Sequence, residues 1–267
     1  MRCYQRRPRA PLDRFVRLIW SLEIGDPAVF GPPERIVPDG IVEIVFHLET
    51  PFGMRFAGGP VDRQPAAFAL SQTRRFVEIA PAGSGAFVAI RFEPWGAYHF
   101  FASPLAALAD CVVPTADLWG KPAVELHDRL GSARTFEARA GIVEQFLLRQ
   151  LARHGKADVE PLARAIWRRP RALRVATLAA DLGMTERSLQ RVFRRAFTTT
   201  PKHFARLTRF LHACRLLRAP DALPLASLSQ ICGYYDQAHL SGEFRELAGM
   251  TPTEFLRDTR VVALEIG

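Results

Sequence analysis

The sequence predicts a multi-domain α+β protein in which an antiparallel β-rich part precedes an all-α part built on a duplicated two-helix unit. Three observations predict it. Short apolar runs bounded by turn residues fill the first 118 residues. From Lys121 onward the apolar positions change to helical spacing. The last third of the chain then repeats itself at an offset of 51 residues.

In the first part, Ile41–Leu48 and Phe87–Phe92 read as strands, set off by the turns Pro38-Asp39-Gly40, Gly58-Gly59-Pro60 and Pro81 through Gly85. Several such strands suggest a closed or sandwiched antiparallel sheet. Leu126, Leu130, Phe136, Ile142, Phe146, Leu147 and Leu151 fit connecting helices. A boundary near Gly155–Pro161 divides the chain into parts 1–155 and 160–262.

Composition excludes several classes. No window approaches eighteen uncharged apolar residues, so no membrane span is expected. The basic start MRCYQRRPRAPLDRF lacks an apolar signal core, and the expected location is the cytoplasm. Cys3, Cys111, Cys214 and Cys232 are scattered without a CxxC, which argues against a zinc cage or disulfide framework. The net charge of +9 is unevenly spread: from residue 161 onward 17 Arg and Lys face 9 Asp and Glu. Such a bias attracts polyanions through counterion release, although Arg-rich surfaces also arise from base composition alone.

The repeat is the sharper signal. Leu189, Phe193 and Arg194 recur as Leu240, Phe244 and Arg245; Thr200, Pro201, Phe204 and Arg206 recur as Thr251, Pro252, Phe255 and Arg257. Upstream the offset becomes 50, with Leu178 and Gly183 recurring as Leu228 and Gly233, so the second turn is one residue longer. Two copies are too few for a solenoid, and a duplicated recognition unit fits better. The units span about 175–197 and 225–248, joined by a long helix Pro201–Ala219 capped by Thr200. That helix would run about 28 Å at 1.5 Å per residue, near the roughly 34 Å between successive major grooves.

Each unit carries two stripes. In the first, Leu178–Leu182 ends at Gly183, and Thr185 caps a helix Glu186–Phe197. Leu189, Val192, Phe193 and Ala196 face a core, while Arg187, Gln190, Arg191 and Arg194 line the opposite side. A solvated face normally mixes charge signs, and this one carries no acid. Arg can pair with guanine and Gln with adenine in a major groove, while Arg194, Arg195 and Arg245 suit phosphates. The second unit runs through Leu225–Cys232, Gly233 and an Asp236-capped helix ending at Ala248. There Ala238, Ser241, Gly242 and Arg245 stand at the matching positions, with Gln237 and His239 nearby. Recognition by the two units should be unequal.

The stretch LAADLGMTERSLQRVFRRAF, TPKHFARLTRFLHACRLL, LASLSQICGYYDQAHLSGEF and AGMTPTEF resembles the DNA-binding region of the AraC/XylS family of transcription regulators, from Val175 to Leu256. The resemblance implies two helix-turn-helix units in a double-stranded DNA-binding regulator, with base contacts from Arg187, Gln190 and Arg191, then near Gln237, His239 and Ser241. It departs at Gly242, where the family usually has Arg, and at Thr198, where it usually has Gly. Val37 through Glu43, Gly59-Pro60, Arg91-Phe92-Glu93-Pro94 and Leu118-Trp119-Gly120 resemble, more weakly, a cupin-like antiparallel β-barrel found ahead of such regions. That implies effector sensing by a small molecule, homodimerisation, or both, with RNA polymerase as partner if the protein activates.

Glu43, His47, Arg91, Trp95 and Tyr98 are the candidate ligand-pocket residues of the first part. Aromatic clusters are more often core, and a lone strand histidine is more often packed than ligating. Glu43, His47, Glu93 and His99 lack the close H-x-H spacing of a metal site, so neither metal nor cofactor is expected. With no Ser/His/Asp grouping, phosphate loop or H-E-x-x-H, nothing nominates a catalytic residue, and the chain reads as no enzyme.

Overall fold

The computed structural model describes residues 1–26, 32–71, 73–102, 105–155, 175–197, 199–221, 223–258 and 261–262. Its β-rich part is a pair of sheets. β1 (Arg2–Arg6), β2 (Val16–Ile24), β9 (Gly85–Phe92), β4 (Glu43–His47), β7 (Ala67–Leu70) and β10 (Val112–Pro114) form one antiparallel sheet in that order. The second contains β3 (Glu34–Ile36), β8 (Val77–Ala80), β5 (Gly53–Phe56) and β6 (Asp62–Arg63), all antiparallel. The expected barrel thus takes the form of two sheets, and among the described residues no ladder joins them into a closed wall.

β9 shows why the layers stack as they do. All eight of its residues are buried, which a strand achieves only when both faces are covered. Val88, Ile90 and Phe92, with Ile19, Ile44 and Phe46 of neighbouring strands, join the apolar residues of the connecting helices. These are α1 (Thr115–Trp119), α2 (Lys121–Ser132) and α3 (Phe136–His154), which contribute Trp119, Leu126, Leu130, Val143, Phe146 and Leu147. Phe87 and Ala89 take the other face, with Ile24 and Phe52.

The helical part follows the duplicated pattern. α4 (Val175–Asp181), α5 (Glu186–Ala196) and the long α6 (Pro201–Leu217) make the first half; α7 (Leu225–Ile231), α8 (Gln237–Ala248) and α9 (Pro252–Arg257) make the second. The proposed boundary at 155–161 falls largely on residues outside those described, as does Thr198.

The two parts share their cores. Leu189, Phe193, Ala196 and Phe204 of the first unit lie in one apolar cluster with Phe100, Phe101, Leu105 and Leu108 of the β-rich part. The second unit has its own cluster, which takes in Val37 from the β-rich part. Arg35 stacks over Phe76 at 4.2 Å and donates to the Ala248 carbonyl at the end of α8 (3.1 Å). Gly249, at φ +70°, caps α8, and a Cβ there would run into the Phe76 ring. β11 (Val261–Val262) then adds a parallel strand to β3.

Candidate nucleic-acid interface

The turn and cap bonds of the two units correspond. In the first turn Gly183 (φ +63°) donates to the Ala180 carbonyl (3.0 Å) and Met184 to that of Ala179 (2.8 Å). In the second, Gly233 (φ +75°) donates to Gln230 (3.1 Å) and Tyr234 to Ser229 (2.8 Å). A positive φ at this corner favours glycine because a Cβ would be strained there. The following helices start on side-chain caps: Thr185 accepts from the Ser188 N–H (3.1 Å) and Asp236 from the His239 N–H (2.7 Å). Phe193–Phe204 and Phe244–Phe255 pack edge-on at 5.6 and 5.4 Å. The 51-residue repeat is therefore a repeat of packing.

On α5, Leu189, Phe193 and Ala196 are fully buried, and Arg187, Gln190, Arg191 and Arg194 are exposed. None of these four makes a hydrogen bond or ion pair among the described residues. Arg195 is also exposed, but it donates to the Tyr98 hydroxyl of the β-rich part (3.1 Å). On α8, Gln237, His239 and Arg245 are exposed and Ser241 is half-buried. His239 Nδ1 accepts the Tyr235 N–H (3.3 Å), which assigns the ring proton to Nε2.

α6 holds the units together. At 17 residues it is about 25 Å long, slightly shorter than the sequence predicted. Its Arg206 donates to Glu243 (2.8 Å) and to Glu246 (2.8 Å) on α8. Hydrogen bonding to Arg206 holds the Glu246 carboxyl below its ordinary range, against the opposing effect of burial. Because the folded pKa is lowered, this contribution is present above the ordinary carboxylate value and lost as pH falls from there through the lowered folded value. The melting temperature of the wild type is thus expected to fall more steeply than that of Arg206→Met on acidification below about pH 4.5. Parallel melting curves for the two would count against the link.

The candidate ligand residues of the β-rich part separate into two groups. Glu43 and Arg91 sit side by side on β4 and β9, where Arg91 pairs with Asp39 and lies 3.6 Å from Glu43. Trp20 Nε1 donates to Glu43 (2.8 Å). Burial pushes the Glu43 carboxyl up, with Arg91 and the Trp20 N–H acting against it. Burial opposes the Arg91 charge, yet Asp39 and Glu43 outweigh it and hold the guanidinium above its ordinary value. His47 lies on the same strand, with Nε2 2.8 Å from the Gln64 amide oxygen, and burial lowers its pKa. Trp95 and Tyr98 are not with them. They belong to the large core beneath the helices, Trp95 bonding the Arg14 carbonyl (3.0 Å) and Tyr98 meeting Arg195. Beyond the end of β9 the chain no longer alternates, so strand parity fails to place them. Among the described residues no group of three His, Cys, Asp or Glu is placed to hold a metal ion, and no helix is long and apolar enough to cross a membrane.

Two capped helices following tight glycine turns, one with a bare cationic face, have the form of helix-turn-helix units. Residues 178–258 match a family described as "Helix-turn-helix domain", and residues 4–114 match a "Domain of unknown function (DUF6597)". The probable thc operon regulatory protein of Rhodococcus erythropolis is 33% identical over 87 residues, 32% of this chain and 26% of that protein, so the chain matches about a quarter of its relative's length. Among solved structures, ToxT from Vibrio cholerae is similar with a TM-score of 0.47 at 9% identity, covering 98% of this chain and 100% of that one. The DNA-binding domain of AdpA in complex with a target DNA has a TM-score of 0.33 at 29% identity, covering 37% and 88%. Residues 178–258 thus carry a helix-turn-helix domain, and the chain is similar in part to an operon regulatory protein.

Proposed function

We propose that the chain is a sequence-specific double-stranded DNA-binding transcription regulator whose reading is controlled by its β-rich part. The observation that carries this is the face of α5. Arg187, Gln190, Arg191 and Arg194 stand exposed and unpaired among the described residues, on a helix whose other side is fully packed. Four long side chains without internal partners are free to bond a ligand, and their types suit guanine, adenine and phosphate. Gln237, His239 and Ser241 supply the second contact, with Arg245 on phosphate. Arg195 serves phosphate only after leaving Tyr98.

Control from the β-rich part is supported by its grip on both units, through Tyr98 on α5 and through Arg35 and Phe76 at the end of α8. The buried Asp39–Arg91–Glu43 cluster and a polar cleft of about 700 Å³, bordered by Arg2, Glu23, Glu49 and Arg139, are where a small-molecule effector would bind. In this reading the regulatory part is 1–155 and the DNA-binding part 160–262. The protein acts in the cytoplasm by binding rather than catalysis, as a homodimer or alone, touching RNA polymerase when it activates.

Selection of duplexes from a random pool by the full chain tests the reading. The expected outcome is a motif of two unequal half-sites about one helical turn apart. Equal displacement by any competitor DNA would leave only non-specific binding.

A further inference from the structure

Tyr234 and Tyr235 are neighbours with opposite surroundings. Tyr234 is 4% exposed, packed in the core of the second unit beneath the Arg209 guanidinium (4.9 Å). Tyr235 is 90% exposed, the most exposed of the large hydrophobic side chains described. It immediately precedes the Asp236 cap of α8, and its own N–H is bonded to His239 Nδ1. The His239 ring in turn stands edge-on to Tyr234 at 5.2 Å. The backbone at Tyr235 is therefore pinned while its ring and hydroxyl have no partner among the described residues.

Two positions of α8 offer no reading side chain. Ala238 is exposed, and at Gly242 an added Cβ would meet nothing within 4 Å. A helix so pared down can bring its backbone close to a groove wall, but it offers few groups to hold the DNA. An aromatic ring with a polar tip is suited to that boundary, with its face against the sugar edge and its hydroxyl on a phosphate.

We propose that Tyr235 is a DNA contact of the second unit, donating its hydroxyl to a backbone phosphate beside the groove entered by α8 and working with the adjacent His239 Nε2–H donor. This rests on the DNA-reading role proposed above. It relocates the grip of the second unit from the middle of the helix, where Gly242 stands, to the residue before its cap.

The test uses the full chain and a fluorescent copy of the duplex recovered by selection, with affinity read by anisotropy. Tyr235→Phe is expected to bind about tenfold more weakly, as loss of a hydrogen bond to a charged acceptor implies. Tyr235→Ala should bind more weakly still, since the ring goes as well. Melting temperatures should match the wild type, because the side chain packs on nothing. On a duplex trimmed of the half-site used by the second unit, both variants should bind like the wild type, whereas Arg191→Ala should keep its loss. Unchanged affinity of both Tyr235 variants on the full duplex, with Arg191→Ala impaired, overturns this proposal alone. So does a Tyr235 loss that persists undiminished on the trimmed duplex. If Arg191→Ala also binds as the wild type does, or selection yields no motif, the reading of DNA through these helices fails with it.

Discussion

Arg191→Ala is expected to weaken binding to the selected duplex by about 1–3 kcal/mol, roughly fivefold to 150-fold, and to relax preference at one base pair. Arg191 is exposed on α5 with no partner among the described residues, so its removal should cost the fold almost nothing. The loss would then belong to the contact. Ser241→Ala on α8 should cost much less, since that hydroxyl is short and half-buried. Affinity and base preference, measured side by side for the two variants, decide the matter. Equal losses would contradict unequal reading.

The second large effect lies in the β-rich part. Arg91 is 4% exposed and is the cation between Asp39 and Glu43. Arg91→Ala leaves two largely buried carboxylates with no cation between them, which typically costs about 3–5 kcal/mol. Urea unfolding should show the midpoint fall sharply. The triple change Arg91→Met, Asp39→Asn and Glu43→Gln removes the charges together and should recover much of the loss. A single variant less than about 1 kcal/mol below the wild type would mean that water reaches the cluster.

Much of the helical part was legible because its signals are local. Thr185, Thr200 and Asp236 all accept the cap bonds their spacing implied, and Gly183 and Gly233 both take positive φ. Leu189 with Leu240, and Phe193 with Phe244, are fully buried as the repeat required. What escaped the sequence depends on contacts across the chain. Arg195 looks like a phosphate contact by its charge and helix position, and nothing local reveals a tyrosine 97 residues away. Trp95 and Tyr98 stand out in the sequence as clustered aromatics, and only the tertiary structure places them in the core beneath the helices. Nothing local marks Tyr235, whose exposure is a tertiary fact. The docking of β11 on β3 leaves no pattern in a two-residue strand.

The fit of Phe76 against Gly249 bears on how such proteins can be recombined. A DNA-binding half grafted here from a relative would bring its own residue at that joint, and any side chain larger than hydrogen would collide with the ring. The first unit would meet a similar obstacle, because its core is completed by Phe100, Phe101 and Leu105. The halves of this chain are therefore matched parts rather than interchangeable cassettes, and a working chimera would have to exchange positions 76 and 249 together.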